Sequence, residues 1–400
     1  MHAGSLSAGS GLELAHLAFF VLVYMLTLHT HILSRRRAQV GLHMVRPLSQ
    51  ASAAASAAAG KKCTDPYTNL AFEDWLLRTS DPDSYVLYLW RNRPTIVIGR
   101  NQNPWKECNL GLMSSRGVQL ARRSSGGGSV YHDLGNTNYT VVLPRAAFAR
   151  DLCASMVARA LQDEDIPAYV NARHDVAVDG KKVSGSAFKL TSRRAFHHGT
   201  MLIDTDLERL NGCLRSRVHG EITALGVDSV RSSVANLREY SWAIDHLTFC
   251  NAVMREFSRT FGMLGPDNVC VWDEQSQDTV GRVEQESSRL RSWQWLYGQT
   301  PRFVHAFEKT FAWAQVLARI TVYHGVVAEV SLEQGGRELP GFDSARQALV
   351  GAPYEAAEIE RRLAPVRRQG VQADELCTWL VGKVSDAASG APAPVSGDSA

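Results

Sequence analysis

Two stretches of this chain carry residues able to do chemistry: a run of glycines flanked by arginines, and a lysine beside a tight turn. The glycines lie in Arg122 to Asn138, RRSSGGGSVYHDLGNTN, where Gly126, Gly127 and Gly128 are consecutive. Three glycines in a row cost backbone entropy and bring no side chain to pack, so the run reads as a loop, not as helix or central strand. The backbone N–H groups of such a loop let a ligand come close, and Arg122 or Arg123 offers a planar fork suited to phosphate or carboxylate. An anionic ligand is the expectation. The lysine is Lys182, in Arg173 to Ala187, RHDVAVDGKKVSGSA. Val176, Val178, the Asp179-Gly180 pair and Val183 give the pattern of a two-residue β-hairpin. Lys182 stands just past its turn, and Ser184 and Gly185 leave room for a ligand beside it. A lysine there is ordinarily a solvated edge-strand charge, but next to a glycine-cradled anion it completes a kit for holding an acyl phosphate. His132 and His174 are candidate bases, more often read as hydrogen-bonded loop histidines.

The elements that must position these residues are readable in outline. Leu70, Trp75 and Leu77 predict a short amphipathic helix over Asn69 to Arg78. Strands are predicted at Tyr85 to Trp90 and Thr95 to Gly99, with Val118 to Ala121 entering the glycine loop and Asn138 to Leu143 leaving it. Phe148, Leu152, Met156 and Leu161 make one face of a helix over Ala146 to Leu161. The lysine hairpin follows, then a strand over His197 to Ile203. Strands and helices in this order with short connections predict an α+β fold. The polar stretch from Gly265 to Ser292 reads as a linker or solvated excursion. Beyond it, Ala318 to Val330 reads as a hairpin around His324-Gly325, and Tyr354 to Leu363 as a helix. The tail from Ser385 to Ala400 has hardly a large apolar residue and is expected to be disordered. The domain plan is therefore a leader over 1–62, a catalytic domain over 63–264, a linker over 265–297, an accessory domain over 298–384 and a tail over 385–400.

With 400 residues, 45% hydrophobic and 21% charged, the chain is long enough for two cores. A net charge of +3 argues against a nucleic-acid binder, whose basic face would dominate the balance. Seven cysteines are scattered with no CxxC pair and no zinc-ligand spacing, which suits a reducing compartment. Leu12 to Leu33 is apolar and followed by Arg35, Arg36 and Arg37, long enough by length to span a bilayer. His16, His29 and His31 in or beside the run speak against that. Met44 to Lys62 is Ala- and Ser-rich, carries Arg46, Lys61 and Lys62, and has no Asp or Glu, the composition of a mitochondrial transit peptide. Removal of the leader is expected, with the apolar run either part of it or translated only from an upstream start, as is a location in the mitochondrial matrix; a membrane is not an expected partner.

The motifs carry a resemblance. NLAFEDW at Asn69 to Trp75, WRNRPTIVIGRNQNPW at Trp90 to Trp105, the RRSSGGGSVYHDLGN loop, KVSGSA at Lys182 to Ala187, HHGT at His197 to Thr200, SVRSSVANL at Ser229 to Leu237 and WQWLYGQTP at Trp293 to Pro301 occur in this order. The chain so resembles the lipoate-protein ligase and lipoyltransferase family, and most of all its mitochondrial lipoyltransferases. The resemblance implies a biotin/lipoate-protein ligase-like catalytic domain with a mixed sheet flanked by helices, and a small C-terminal α+β accessory domain. It implies that Lys182 touches the acyl carbonyl and the phosphate of a lipoyl-nucleotide, lipoyl-AMP or lipoyl-GMP, without itself being acylated. Arg123, Gly127, Gly128, Ser129, Val130, Tyr131, Arg173, Thr200, Val230 and Ser232 fall where the family contacts that intermediate. Asp175 is by resemblance a candidate Mg²⁺ contact, and as readily an exposed hairpin acid. No tightly bound cofactor is expected. The implied acceptors are lysines of lipoyl domains in the 2-oxo-acid dehydrogenase complexes, and the implied donors are lipoyl-nucleotide or the lipoylated glycine-cleavage H protein.

Other readings stand beside this one. A complete ATP-dependent ligase shares every site named, and HHGT and SVRSSVANL are close to the bacterial ligase pattern, whereas the leader and WQWLYGQTP favour the transferase. A cysteine-dependent octanoyltransferase is disfavoured, because Ala195 to Gly199 holds no cysteine. A non-enzymatic carrier or scaffold would need an exposed acceptor lysine, not an anhydride cradle. The acyl chain demands an apolar tunnel, but any sheet valine could line it.

Overall fold

The computed structural model describes residues 22–26, 63–214, 216–262, 269–271 and 280–388. The first helix runs Pro66–Thr79, a turn longer at its start than the apolar spacing predicts. Asp65 explains the difference: its side chain accepts from the Thr68 N–H and proline follows at the first helical position. This helix lies under a sheet of order Ser186–Leu190, Arg194–Leu202, Asn136–Pro144, Tyr85–Trp90, Leu22–Leu26 and Val269–Val271, antiparallel throughout. Of the predicted leader only Leu22–Leu26 falls within the described residues, where its backbone pairs with Tyr85–Trp90. A second, mixed sheet holds Thr95–Ile98 between Gln119–Arg122, parallel to it, and Val130–His132, antiparallel to it. The glycine run joins the last two strands and is neither helix nor strand. The third sheet contains the lysine hairpin, Val176–Val178 and Lys181–Ser184. Its turn residues Asp179 and Gly180 have φ of 47° and 76°, the left-handed pair that a tight two-residue turn demands.

The α+β architecture with mixed sheets is as expected, but three details of the plan differ. The polar stretch read as a linker contains a helix, Val280–Arg291, followed by a short one at Trp293–Leu296. Val283 and Leu290 bury the apolar stripe of the longer helix, and the Ser287 hydroxyl meets the Thr68 hydroxyl at 3.4 Å. The tail begins later than expected: the helix Val371–Ala388 passes through Ser385, and Ala387 and Ala388 are buried. Residues 389–400 lie outside the described ones. Finally, the accessory sheet takes its edge strand, Ile222–Ala224, from within the catalytic segment and pairs it with Phe303–Thr310. Gln315–Tyr323 and Val326–Gln334 form the predicted hairpin of that sheet.

The accessory part is anchored directly behind the glycine loop. Trp105 is fully buried among Tyr297, Phe303 and Tyr354, with ring centroids at 5.3–5.4 Å. Arg122 sends Nε and Nη2 to the Leu296 carbonyl at 3.1 and 2.6 Å, and Nη2 also to Thr300 Oγ1 at 2.9 Å. Rings of this size buried at a joint contribute several kcal/mol, on the order of 3–5 for a truncated Trp.

Candidate functional site

The glycine loop and the lysine hairpin face one pocket of about 310 Å³. Its wall includes Arg123, Gly127, Gly128, Ser129, Val130, Arg173, Asp175, Lys182, Thr200 and Val230, so most of the expected contacts converge. Two do not. Strand alternation turns Tyr131 to the other face of Val130–His132, where it is buried in the core. Ser232 stands outside the wall and reaches it only as the acceptor of Arg173 Nη1 at 3.3 Å.

The hairpin presents Lys182 half-buried, with Nζ 3.0 Å from the buried Asp175 carboxylate. Its strand is not a free edge. The Lys182 N–H donates to the Ser233 carbonyl at 2.9 Å and its carbonyl accepts from Ala235 at 3.1 Å, so the SVRSSVANL segment is laced to the hairpin. Gly185 is small for a reason: a Cβ there would lie 3.0 Å from Lys182 Cε and 3.1 Å from Nζ. The Gly185 N–H donates to Thr200 Oγ1 at 3.1 Å, which sets the neighbouring strand beside the lysine.

The arginines behave differently from the sequence reading, which offered them to the ligand. Arg123 is buried and its donors are spent at home: Nε to Ser125 Oγ, Nη1 to the Val97 carbonyl, Nη2 to the carbonyls of Gly126 and Gly128 at 2.6 and 2.8 Å. Arg122 is likewise consumed by carbonyls of Arg100, Gln102 and Leu296. Burial pushes Arg123 down to about 10 and Arg122 down to about 9. They shape the loop; they are not a free fork. Gly127 takes φ of 87°, and a Cβ on Gly99 would stand 2.1 Å from the Gly127 carbonyl oxygen, so the loop can only pass where both are glycine.

Several residues in or directly behind the wall were invisible to the sequence reading. Gln102, fully buried, accepts with Oε1 from the Gly99 N–H and Ser129 Oγ, both at 2.9 Å, and donates with Nε2 to Ser229 Oγ at 2.9 Å. It pins the glycine loop to the SVRSSVANL loop, and the only hint was its place in the WRNRPTIVIGRNQNPW segment. His198 joins Glu73 Oε1 through Nδ1 at 2.8 Å and Ser125 Oγ through Nε2 at 2.9 Å. The Glu73 carboxylate can only accept, so His198 donates to it through Nδ1. Leu70, Trp90, Val97 and Ala187 make the apolar part of the wall.

The two candidate bases separate. His174 is part-exposed, pairs with Asp151 and is not in the pocket wall. His132 is in the wall but buried. Burial, then the charges of Arg123 and His198, push it down to about 3, so it stays neutral and accepts at Nδ1 from Asn92 Nδ2 at 3.0 Å. The residues do not build a metal cage. Asp175 is engaged by Lys182, and no three His, Cys, Asp or Glu side chains converge among the described residues. A hard dication needs several oxygen ligands, so no step is assigned to one.

An ammonium beside an apolar cleft, under a loop of backbone amides, suits a ligand with an anionic middle and a greasy end. Comparison with known proteins agrees. Residues 65–258 match the family model described as Lipoyl protein ligase A/B catalytic domain. Over 330 residues the chain is 36% identical to the Lipoate-protein ligase A of Psychrobacter cryohalolentis, covering 80% of this chain and 96% of that one. The chain belongs to the lipoate-protein ligase A family. The fold agrees with that of P. falciparum LipL1 in complex with lipoate, at TM-score 0.50 and 24% identity over 80% of this chain and 98% of that one.

Proposed function

We propose that the pocket holds a lipoyl-nucleotide, lipoyl-AMP or lipoyl-GMP, and that the chain passes its lipoyl group to a lysine of a lipoyl domain in the 2-oxo-acid dehydrogenase acyltransferase subunits. The observation that carries this is the placement of the half-buried Lys182 in the same wall as Leu70, Trp90 and Val97. A free carboxylate is too poor an electrophile to acylate an amine, whereas a mixed anhydride needs only positioning and charge stabilisation. The acyl methylenes lie along the apolar wall, at about 0.8 kcal/mol each. The Lys182 ammonium exchanges part of its pairing with Asp175 for the phosphate and the acyl carbonyl oxygen, and it is not itself acylated. Arg173, Val230 and Ser232 border the nucleotide end, and Tyr131 acts through the packing of its strand. The lipoylated glycine-cleavage H protein is the alternative donor.

A second reading, that the chain also makes the adenylate from lipoate and ATP, is favoured by the name of its 36% identical relative, a Lipoate-protein ligase A. Purified protein incubated with apo-lipoyl domain and either lipoate plus ATP or lipoyl-AMP separates the two. The transferase reading expects modification with lipoyl-AMP only, and robust modification with lipoate and ATP overturns it. The acid-free, basic segment Met44 to Lys62 supports a mitochondrial matrix location. N-terminal sequencing of the mature protein that finds Leu12 to Leu33 retained would remove that support.

A further inference from the structure

Asn138 was not among the expected contacts, yet it lines the pocket and is nearly fully buried. Its Nδ2 has no hydrogen-bond partner among the described residues. Which end of the amide carries the donor is decided by a neighbour with no freedom to flip. Asn136 Oδ1 accepts from the Met201 backbone N–H at 3.1 Å, so Asn136 presents its NH₂, and that group donates to Asn138 Oδ1 at 3.0 Å. Asn138 must therefore offer its own NH₂, with its oxygen already occupied. Leaving a buried donor without an acceptor is unfavourable, and a bound acceptor removes that cost.

Sheet register says where that acceptor lies. Asn138 stands directly between Trp90 on one neighbouring strand and Thr200 on the other, and paired residues share a face. Thr200 Oγ1 is taken by the Gly185 N–H, and Gly185 touches the end of Lys182. The row Trp90, Asn138, Thr200 thus runs from the apolar wall to the lysine, with the amide in the middle. We propose that Asn138 Nδ2 is a catalytic donor that works with Lys182 on the acyl carbonyl oxygen. The assignment rests on a lipoyl-nucleotide occupying the pocket. As the acceptor amine adds to the carbonyl carbon, the C–N bond forms and negative charge gathers on that oxygen, within reach of both donors. The C–O bond to phosphate then breaks, the nucleoside monophosphate leaves with the electron pair, and one amine proton passes to solvent.

The test is single-turnover transfer from pre-formed lipoyl-AMP to apo-lipoyl domain, read as rate at saturation and as apparent affinity, with thermal melts alongside. Asn138→Ala is expected to lower the saturated rate about 100-fold, the usual loss for one oxyanion donor, with apparent affinity changed less than about threefold. Asn138→Asp keeps an acceptor for Asn136 but replaces the donor with a carboxylate, so it separates chemistry from packing even if the alanine variant folds poorly. Its rate deficit against wild type is expected to shrink as the pH is lowered, because a protonated carboxyl again has a proton to give. A saturated rate within threefold of wild type in a folded variant, a loss confined to affinity, or a deficit independent of pH overturns the assignment while leaving the pocket's ligand in place. A wild-type chain inert toward lipoyl-AMP overturns the ligand itself, and the assignment with it.

Discussion

The glycine loop and the lysine hairpin both look from sequence like anion grips, yet the folded chain uses their cations in opposite ways. In the loop, Arg122 and Arg123 are buried and every well-placed donor ends on a backbone carbonyl or on the hydroxyls of Ser125 and Thr300. In the hairpin, Lys182 has one carboxylate, Asp175, and keeps part of its surface in the pocket. A residue type fixes donor capacity, whereas burial decides whether that capacity is already spent. The loop is scaffold and the hairpin is chemistry, and each half of this contrast can be tried by mutation.

The largest effect belongs to the hairpin. Lys182→Ala should lower transfer from lipoyl-AMP by about 10³-fold, at the upper end of what one charge-stabilising donor supplies. The strand survives, because the bonds to Ser233 and Ala235 come from the Lys182 backbone. Asp175 would be left as a buried, unpaired carboxylate, so a lower Tm is expected. The double variant Lys182→Ala with Asp175→Asn removes that penalty and should recover stability without recovering activity. Wild-type turnover in either variant would demote Lys182 from the centre of the site.

On the loop side the loss should appear first in stability. Arg122→Leu strips donors from the carbonyls of Arg100, Gln102 and Leu296 and from Thr300, and should cost about 3 kcal/mol, the upper range for leaving buried polar groups unpaired. Urea unfolding measures it, with Arg122→Lys as the milder comparison. An unchanged midpoint would mean that the accessory part is not held through this residue.

Slightly smaller is the effect of Gly128→Val. A Cβ at Gly128 would meet Ser229 Oγ at 3.3 Å, and Ser229 itself accepts from the Ser129 N–H and from Gln102. The two further methyl groups therefore push the two loops apart. Binding of a non-hydrolysable lipoyl-nucleotide analogue, measured by calorimetry, should weaken about 100-fold, or about 2.8 kcal/mol, with a near-normal melt. Unchanged affinity would falsify the loop's part in the ligand site.

What the sequence made legible follows from how local each signal is. The lysine hairpin, with its Asp179-Gly180 turn, and the glycine loop are decided by a few adjacent residues, so spacing alone places them. The strand at Tyr85–Trp90 also emerges with the expected bounds. The apolar wall was not legible, because Leu70, Trp90 and Val97 look like any core residue until the chain is folded. Nor was the pairing of Glu73 with His198, or the hold of Gln102 on Ser229, since each joins segments far apart in sequence. The helix Val280–Arg291 was missed for another reason: its polar composition hid an apolar stripe of few residues that packs on Pro66–Thr79. The arginines show the same limit. Spacing located them correctly, but only the fold counts the carbonyls around them.

The smallest effect at neutral pH tests how dry the loop side is. His132 is pushed from its ordinary 6.5 down to about 3 by burial, then by the Arg123 and His198 charges, and His197 is likewise pushed down to about 3 by burial, then by His198 and His174. Between these values the unfolded chain takes up a proton at each ring that the folded chain refuses. Stability therefore rises with pH through that window, is unaffected by either ring above about 6.5, and is lost as the pH falls. Each such group contributes a slope of about 1.4 kcal/mol per pH unit within the window. His132→Gln should leave the unfolding free energy at pH 7 changed only by its packing, and should flatten the decline toward pH 5 by about that slope. Keeping the range above pH 5 avoids the ordinary carboxylates. Wild-type and variant stability curves that run parallel from pH 7 to 5 would mean that His132 takes up its proton in the folded chain. The loop would then be as wet as the hairpin, and the contrast between scaffold and chemistry would lose its electrostatic basis.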